Sequence, residues 1–453
     1  MAPDPRDGDE AEEHGESRAA GEAEAEEEEE LRERFEAVVA LQASEPQRAV
    51  AEFRAILADK HATLSGAAPA HVSRFKEWSI LHLCALYGKL GEQDALVRLL
   101  KEVQPMFQTL PKAKTAKIVR TVIDSLGKIA GTEEQQVKLC NEYIEWAIKE
   151  KRAFLRQRIQ VRLANLYLQI GRFSAALVLL QSLASEVKKL DDKQLLVEIF
   201  LIESRVHHAL RNVPRSKSSL TAARSVSNSI YVGPQLQGEI DLQAGMLNAD
   251  DKDFRTAFSY FFEAFEALHT LGDARSVLCL KYMLLSKIMF GLGDEVPAIL
   301  NGKNAVGYSG PQVGSMRAIA KAYKERSLQD FENVLQEFKR ELLDDELVSR
   351  HLKDLQAKLL EQNLLRLIEP FSRVEIDHVA RLIKLPRPVV ETRLSKMILD
   401  KKLLGILDQG TGELVVFDAP VPDSTYDASL GVLKDMSNVV DSLFRRADKL
   451  EVA

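Results

Sequence analysis

From Leu31 onward the apolar residues fall three and four positions apart, the spacing of one face of an α-helix. Leu155, Ile159, Leu163, Leu166, Tyr167 and Ile170 draw one such stripe, which Gly171 can end by turning into the left-handed region. Phe173, Ala176, Leu177, Leu180, Ala184 and Val187 draw the next, so the two predict an antiparallel helical hairpin. The same junction recurs at Gly91, Gly131, Gly171, Asn212, Lys252 and Gly293, at intervals of 40, 40, 41, 40 and 41 residues. A bend near Glu45-Pro46 marks an earlier, degenerate hairpin. One helical pair of this length cannot bury its own stripe, so neighbouring pairs must stack into a solenoid with a core running along the array. Small residues such as Ala164, Ala175, Ala176, Ala222, Ala223 and Ala257 sit where the helices approach and are read as packing positions.

The repeat loosens after Gly293. Residues Asn301 to Gly314 hold four glycines and Pro311, a loop signal, and three further helices are predicted over Gln312–Glu325, Ser327–Leu343 and Leu347–Glu369, with Ser327 as an N-terminal cap and Pro370 as a stop. Then the character changes. A short amphipathic helix over Val374–Ile383, a turn at Lys384-Leu385-Pro386, a helix over Pro388–Lys401, and two strands, Leu404–Asp408 and Glu413–Phe417, predict a winged helix. Tyr426, Leu430, Leu433, Met436, Val440, Leu443, Ala447 and Leu450 finally draw a single apolar seam along about seven turns, and such a seam wants partners from outside its own domain.

Charge separates the first thirty residues from the rest. They carry fourteen acids against Arg6 and Arg18, a net of −12, and too few large apolar side chains to offset the entropy of ordering, so they read as a disordered acidic tail. The other 423 residues carry 59 basic and 54 acidic side chains, a near balance that argues against a dedicated nucleic-acid binder. Aromatic residues are only 6% of the chain, which disfavours a many-stranded β fold. Neither an 18-residue apolar run nor a signal-peptide pattern is found, so a soluble intracellular protein is expected, with no membrane contact.

Candidate chemistry is sparse. Cys84, Cys140 and Cys279 are an odd number at wide spacings inside apolar helical patterns, so they suggest core thiols rather than a disulfide framework, a zinc site or a nucleophile. His207 and His208 are adjacent and diverge by about 100° on a helix, and His82 and Cys84 likewise point apart, so neither pair predicts a metal site. Gly302-Lys303 lacks the preceding strand and glycine spacing of a phosphate loop, and Gly307-Tyr308-Ser309-Gly310 lacks the strand of a nucleophile elbow. We therefore expect no catalytic residue, no cofactor and no metal.

A winged helix can read nucleic acid, and the span from Ser372 to Lys402 holds eight basic residues. Its second helix, however, mixes Arg387, Arg393 and Lys396 with Glu391 and Asp400, so phosphate attraction would be weak. The competing use is protein docking, with Leu414, Val415, Val416 and Phe417 of the wing as an open strand edge and Tyr426, Leu430, Leu433, Met436, Val440, Leu443 and Leu450 of the terminal helix as a bundle face. Packing of the wing strand within its own domain stays an equal alternative.

An array of helical hairpins followed directly by a winged helix resembles the PCI family, found in subunits of the proteasome lid, the signalosome and a translation initiation complex. Three strings, Lys281 to Met289, Ile368 to Val374, and Met397 to Lys402 continuing through Gly405 to Gly410, are similar to the lid branch of that family. The departures are the acidic extension and the Pro386-Arg387-Pro388 opening, where the family often has a polar cap. The resemblance, over about residues 31 to 453, implies a mainly α protein in which the disordered tail read from composition at 1–30 is followed by a TPR-like α-solenoid at 31–300, the helical part of the PCI domain at 301–370, its winged helix at 371–420 and a bundle helix at 421–453. It also implies a scaffold in the cytoplasm and nucleus. Its partners would be other PCI subunits of the proteasome lid, an ATPase subunit of the base and the α-ring of the core particle. Two other readings stay open on the residues alone: a nucleic-acid-binding regulator and a scaffold of a sister PCI complex.

Overall fold

The computed structural model describes residues 29, 31–42, 45–58, 70–108, 111–127, 129, 131–308, 310–383, 385–417 and 424–451. The expected acidic tail, apart from Glu29, lies outside them, as does Lys384 of the predicted turn. The chain forms two compact units, residues 1–251 and 252–453.

In the first unit the helices follow one another as antiparallel neighbours. After a helix over 31–42 come Pro46–Ala58, Ala70–Leu90 and Gln93–Val103, then Lys112–Leu126 and Glu133–Lys149. The regular array continues with Ala153–Ile170, Phe173–Leu190, Lys193–Ala209, Val213–Ser227 and Pro234–Asp250. Helix Ala153–Ile170 packs both on Phe173–Leu190 and on Lys193–Ala209, which packs in turn on Pro234–Asp250. This is the stacking that the stripes demanded. Leu155, Ile159, Leu163 and Leu166 are buried, and so are Ala176, Leu180, Ala184 and Val187 of the following helix. Val161 and Ala164 are buried as well, because a helix with neighbours on two sides must be apolar on more than one stripe.

Several turns share one hydrogen-bonding scheme. After helix Ala153–Ile170 the Gly171 amide donates to the Leu168 carbonyl (3.3 Å) and the Arg172 amide to that of Tyr167 (2.9 Å), a Schellman closure with Gly171 at φ +86°. Equivalent bonds close the helices ending at Lys149, Ala209, Thr270 and Phe290. Left-handed residues in the first unit include Gly131, Lys151, Gly171, Asp191 and Arg211, one every twenty residues, so both ends of the hairpins in this stretch use the device, whereas helix Val213–Ser227 ends at Asn228 without it (φ −65°). Two expected positions shift. The left-handed residue is Arg211 rather than Asn212, because Asn212 caps the next helix by accepting from the Arg215 amide. It is Gly291 rather than Gly293, which opens a short 3₁₀ turn and is buried.

The second unit opens with the pair Phe254–Thr270 and Ser276–Phe290, followed by the short helix Val296–Leu300 and by Pro311–Glu325. The helix expected over Ser327–Leu343 is broken at Phe338 (φ −103°, ψ 38°) into Leu328–Glu337 and Lys339–Leu343; Ser327 caps the first through the Asp330 amide. Helix Glu346–Ile368 then packs on Ser276–Phe290. Between them Lys281, only 4% exposed at its side chain, donates to the Glu341 carbonyl (2.7 Å) and pairs with Asp345 (3.2 Å), which also caps the helix at Val348.

The winged portion holds strands β1 (Arg373–Glu375), β2 (Gly405–Asp408) and β3 (Glu413–Val416), with helices Ile376–Ile383 and Arg387–Leu399 between the first two. The sheet is antiparallel in the order β1-β3-β2, with Val374 opposite Leu414 and Leu407 opposite Leu414 on the other side. The helix expected from Val374 therefore starts only at Ile376, since Arg373–Glu375 is drawn into the sheet. Val374, Ile376, Val379, Val390, Leu394, Met397 and Leu414 form the core of this portion with Leu364 and Ile368 of the preceding helix. Gly405 is required where it stands: a Cβ there would lie 2.5 Å from the Val415 carbonyl oxygen. Helix Ser424–Glu451 closes the chain.

Candidate functional site

The groups that could carry chemistry are placed apart. Burial pushes the thiols of Cys84 and Cys279 up to about 12 and that of Cys140 to about 11, so they stay protonated at neutral pH and are poor nucleophiles. His208 Nε2 lies 2.7 Å from Asp250, whereas His207 is buried 3.9 Å from Glu203; the two rings serve different neighbours. His82 stacks on Phe53 and meets Gln42 Oε1 at 3.2 Å, and burial lowers its pKa. Among the described residues no group of three or more His, Cys, Asp or Glu side chains could hold a metal ion. Nor, among the described residues, is any helix long and apolar enough to cross a membrane.

What the fold does present is surface. Along helix Ser424–Glu451 the side chains of Tyr426, Leu430, Leu433, Met436, Val440 and Leu443 are all exposed; Leu450 is on the helix, its side chain outside the described residues. The seam reading omitted Val432, Val439 and Phe444, and with these included the apolar side chains are 42–68% exposed. At about 100° per residue Val432 and Val439 lie beside the seam and widen the apolar face to roughly half the circumference. Asp427, Lys434, Asp435 and Asp441 occupy the other side. A face this broad exceeds the stripe that one partner helix covers, so it suits insertion among several helices.

The wing requires a correction. Leu414, Val415, Val416 and Phe417 do not form an open edge, because the strand they occupy is central. Val415 faces Arg373 on one side and Ile406 on the other, the Val416 amide donates to Ser372 (2.9 Å) and the Phe417 amide to Leu404 (2.8 Å). The third strand, supplied by the segment after Pro370, consumes the backbone groups expected to be free. Leu414 is fully buried, Val415 and Val416 half-buried, and Phe417 exposed. Among the described residues the open edges are those of β1 and β2, and β2 carries the exposed Ile406.

On the second winged-helix helix the two arginines, though not Lys396, are spent in ion pairs among the described residues. Arg393 pairs with Glu361 (2.7 Å), Arg387 with Glu391 (2.6 Å) and Asp377 (3.4 Å), and Lys402 also with Glu361 (2.8 Å). Guanidinium groups held by carboxylates offer little to phosphates, so the nucleic-acid reading is not favoured. In the first unit a cavity of about 450 Å³ is crossed by the pairs Arg158–Glu198 (3.0 Å) and Arg205–Glu239 (2.9 Å). Burial raises the pKa of Glu198 against the opposing pull of Arg158.

Comparison with known proteins agrees with this architecture. Residues 31–170 match the model of the 26S proteasome regulatory subunit RPN6 N-terminal domain, residues 335–418 that of the PCI domain, and residues 422–448 that of the 26S proteasome subunit RPN6 C-terminal helix domain. The 26S proteasome non-ATPase regulatory subunit 11 homolog of Arabidopsis thaliana is 52% identical over 83% of this chain and 90% of its own length. The probable 26S proteasome regulatory subunit rpn6 of Schizosaccharomyces pombe is 48% identical over 82% and 89%. For the 26S proteasome regulatory subunit RPN6 of Saccharomyces cerevisiae the figures are 44%, 83% and 88%. With stacked hairpins, a winged helix and an uncovered terminal helix matched in that order, the chain belongs to the RPN6 family of 26S proteasome regulatory subunits.

Proposed function

We propose that this chain is a non-catalytic structural subunit of the 26S proteasome regulatory-particle lid, serving ubiquitin-dependent degradation in cytoplasm and nucleus. The observation that carries the reading is the terminal helix, whose broad apolar face has no cover among the described residues. Apolar surface of this extent is stabilised only by burial, and helices of neighbouring PCI subunits would bury it. The open edges of β1 and β2 suit strand addition to the sheet of an adjacent winged helix. The N-terminal hairpins would contact an ATPase subunit of the base and the α-ring of the core particle, clamping lid, base and core together.

The test is deletion of residues 424–453 from a chain expressed in place of the native copy. The truncated chain is expected to keep its helical content yet be lost from affinity-purified lid. Normal incorporation would refute the bundle role, and a lid-free set of co-purifying partners for the full chain would refute the assembly reading itself.

A further inference from the structure

Beside the second helix of the winged portion lies a groove of about 560 Å³, on the outer side of Leu360 and Leu385, which also pack against the core of that portion. Its apolar surface comes from Leu328, Leu360, Leu385, Pro388 and Val389, on three separate stretches of the second unit. Lys353 and Lys396 also line it, both exposed. Among the described residues neither lysine has an ion pair, whereas the other charged or amide groups at the groove are engaged, Arg393 with Glu361 (2.7 Å) and Gln356 with Glu332 (3.5 Å). An apolar slot bearing two uncommitted ammonium groups is complementary to a ligand with apolar side chains flanked by carboxylates.

We propose that this groove docks an acidic amphipathic helix from a partner protein. The inference rests on the assembly reading and adds a second, chemically distinct interface to it. Strand addition is ruled out as the mode of binding, because the walls are built largely from helices, whose backbone groups are already paired within each helix; side chains must carry the contact. Apolar residues of the incoming helix at positions i and i+3 or i+4 seat on Leu360, Leu385 and Val389, and its acidic residues reach Lys353 and Lys396. Nucleic acid is the poorer occupant. None of the lining side chains is aromatic, so bases have nothing to stack on, whereas the apolar walls suit the apolar face of a helix.

The test uses the full chain in the assembled complex. Val389→p-benzoylphenylalanine places a photo-crosslinker in the groove, and Thr392→p-benzoylphenylalanine repeats the measurement from an exposed position should the first variant fold poorly. After irradiation of purified lid-containing complexes, the crosslinked peptide is sequenced by mass spectrometry. We expect a segment of another subunit with helical apolar spacing and acidic residues three or four positions from the crosslinked one. Charge reversal by Lys353→Glu with Lys396→Glu should cut its yield about tenfold, equivalent to about 1.4 kcal/mol, while Lys353→Arg with Lys396→Arg retains it. Crosslinks to nucleic acid, to the chain's own terminal helix, to a segment without acids, or to nothing at all would each overturn the proposal. Because incorporation is scored in the same preparation, an incorporated chain with an empty groove defeats this inference and leaves the assembly reading standing.

Discussion

The buried pair of Lys281 and Asp345 allows the sharpest test of how the second unit is held together. Asp345 accepts from the Val348 amide at 3.5 Å as a helix cap, takes a hydrogen bond from the buried Tyr282 hydroxyl, and neutralises the ammonium group of a lysine whose side chain is 4% exposed. Asn caps helices about as well as Asp, so Asp345→Asn removes the charge and spares the cap. It strands Lys281 with only the Glu341 carbonyl at 2.7 Å, and breaking such a pair from one side costs about 3 kcal/mol. Asp345→Ala removes the cap as well, which adds about 0.5 kcal/mol, at the low end because the cap bond is long. Lys281→Met acts in the opposite sense. It fills the site with an apolar chain and leaves the carboxylate, 18% exposed, to solvent and the cap, for a cost of about 1 kcal/mol or less. The double variant Lys281→Met with Asp345→Asn should likewise lie within about 1 kcal/mol of the parent. Urea unfolding followed by circular dichroism supplies the free energies, and hydrogen exchange at Val348 to Leu352 localises them. If Lys281→Met proved as damaging as Asp345→Asn, desolvation of a lone ammonium would not be the governing term, and the reasoning would be refuted.

Two further outcomes follow from local geometry. His82 is held with its pKa below the unfolded value near 6.5, chiefly by burial, so the native state binds its proton less readily than the unfolded chain does. Its contribution is present above about pH 6.5 and lost as pH falls below that value; His82→Phe, which keeps the contacts with Phe35 and Phe53, should flatten the decline in stability between about pH 7 and 5, and a pH-independent difference from the parent would count against it. Gly405→Ala drives a methyl group against the Val415 carbonyl and should destabilise the wing by about 2 kcal/mol, read as faster hydrogen exchange at Ile406 and Val415; unchanged protection there would mean that the strands part freely.

The hairpin array was legible because its signals are local. A helix that ends in a left-handed residue favours glycine, and Gly91, Gly131 and Gly171 declare the repeat. The intervening turns at Lys151 and Asp191 adopt the same conformation with no compositional sign, so only half of the twenty-residue rhythm can be read from sequence. Strand β1 was not legible for a different reason. Three residues with one apolar member make no pattern, and it is pairing with β3 that makes Arg373–Glu375 a strand. The misplaced wing edge follows from that omission, since a two-stranded hairpin would have left β3 open. On the terminal helix a strict three-and-four spacing found the middle of the apolar face and passed over its flank at Val432 and Val439. The groove at Val389 could not be anticipated at all, because Leu328, Leu360 and Val389 meet only in three dimensions.

The bare terminal helix also bears on the life of the chain before it finds company. A newly made copy displays nine greasy side chains to water, from Tyr426 to Phe444, and nothing else in its described structure conceals them. Surplus copies are then prone to clump with one another or to be held by chaperones, and the amount that stays dispersed is set by the supply of neighbouring subunits rather than by the chain's own stability. Orphan status is thus written on the surface of the molecule, where quality-control machinery can read it.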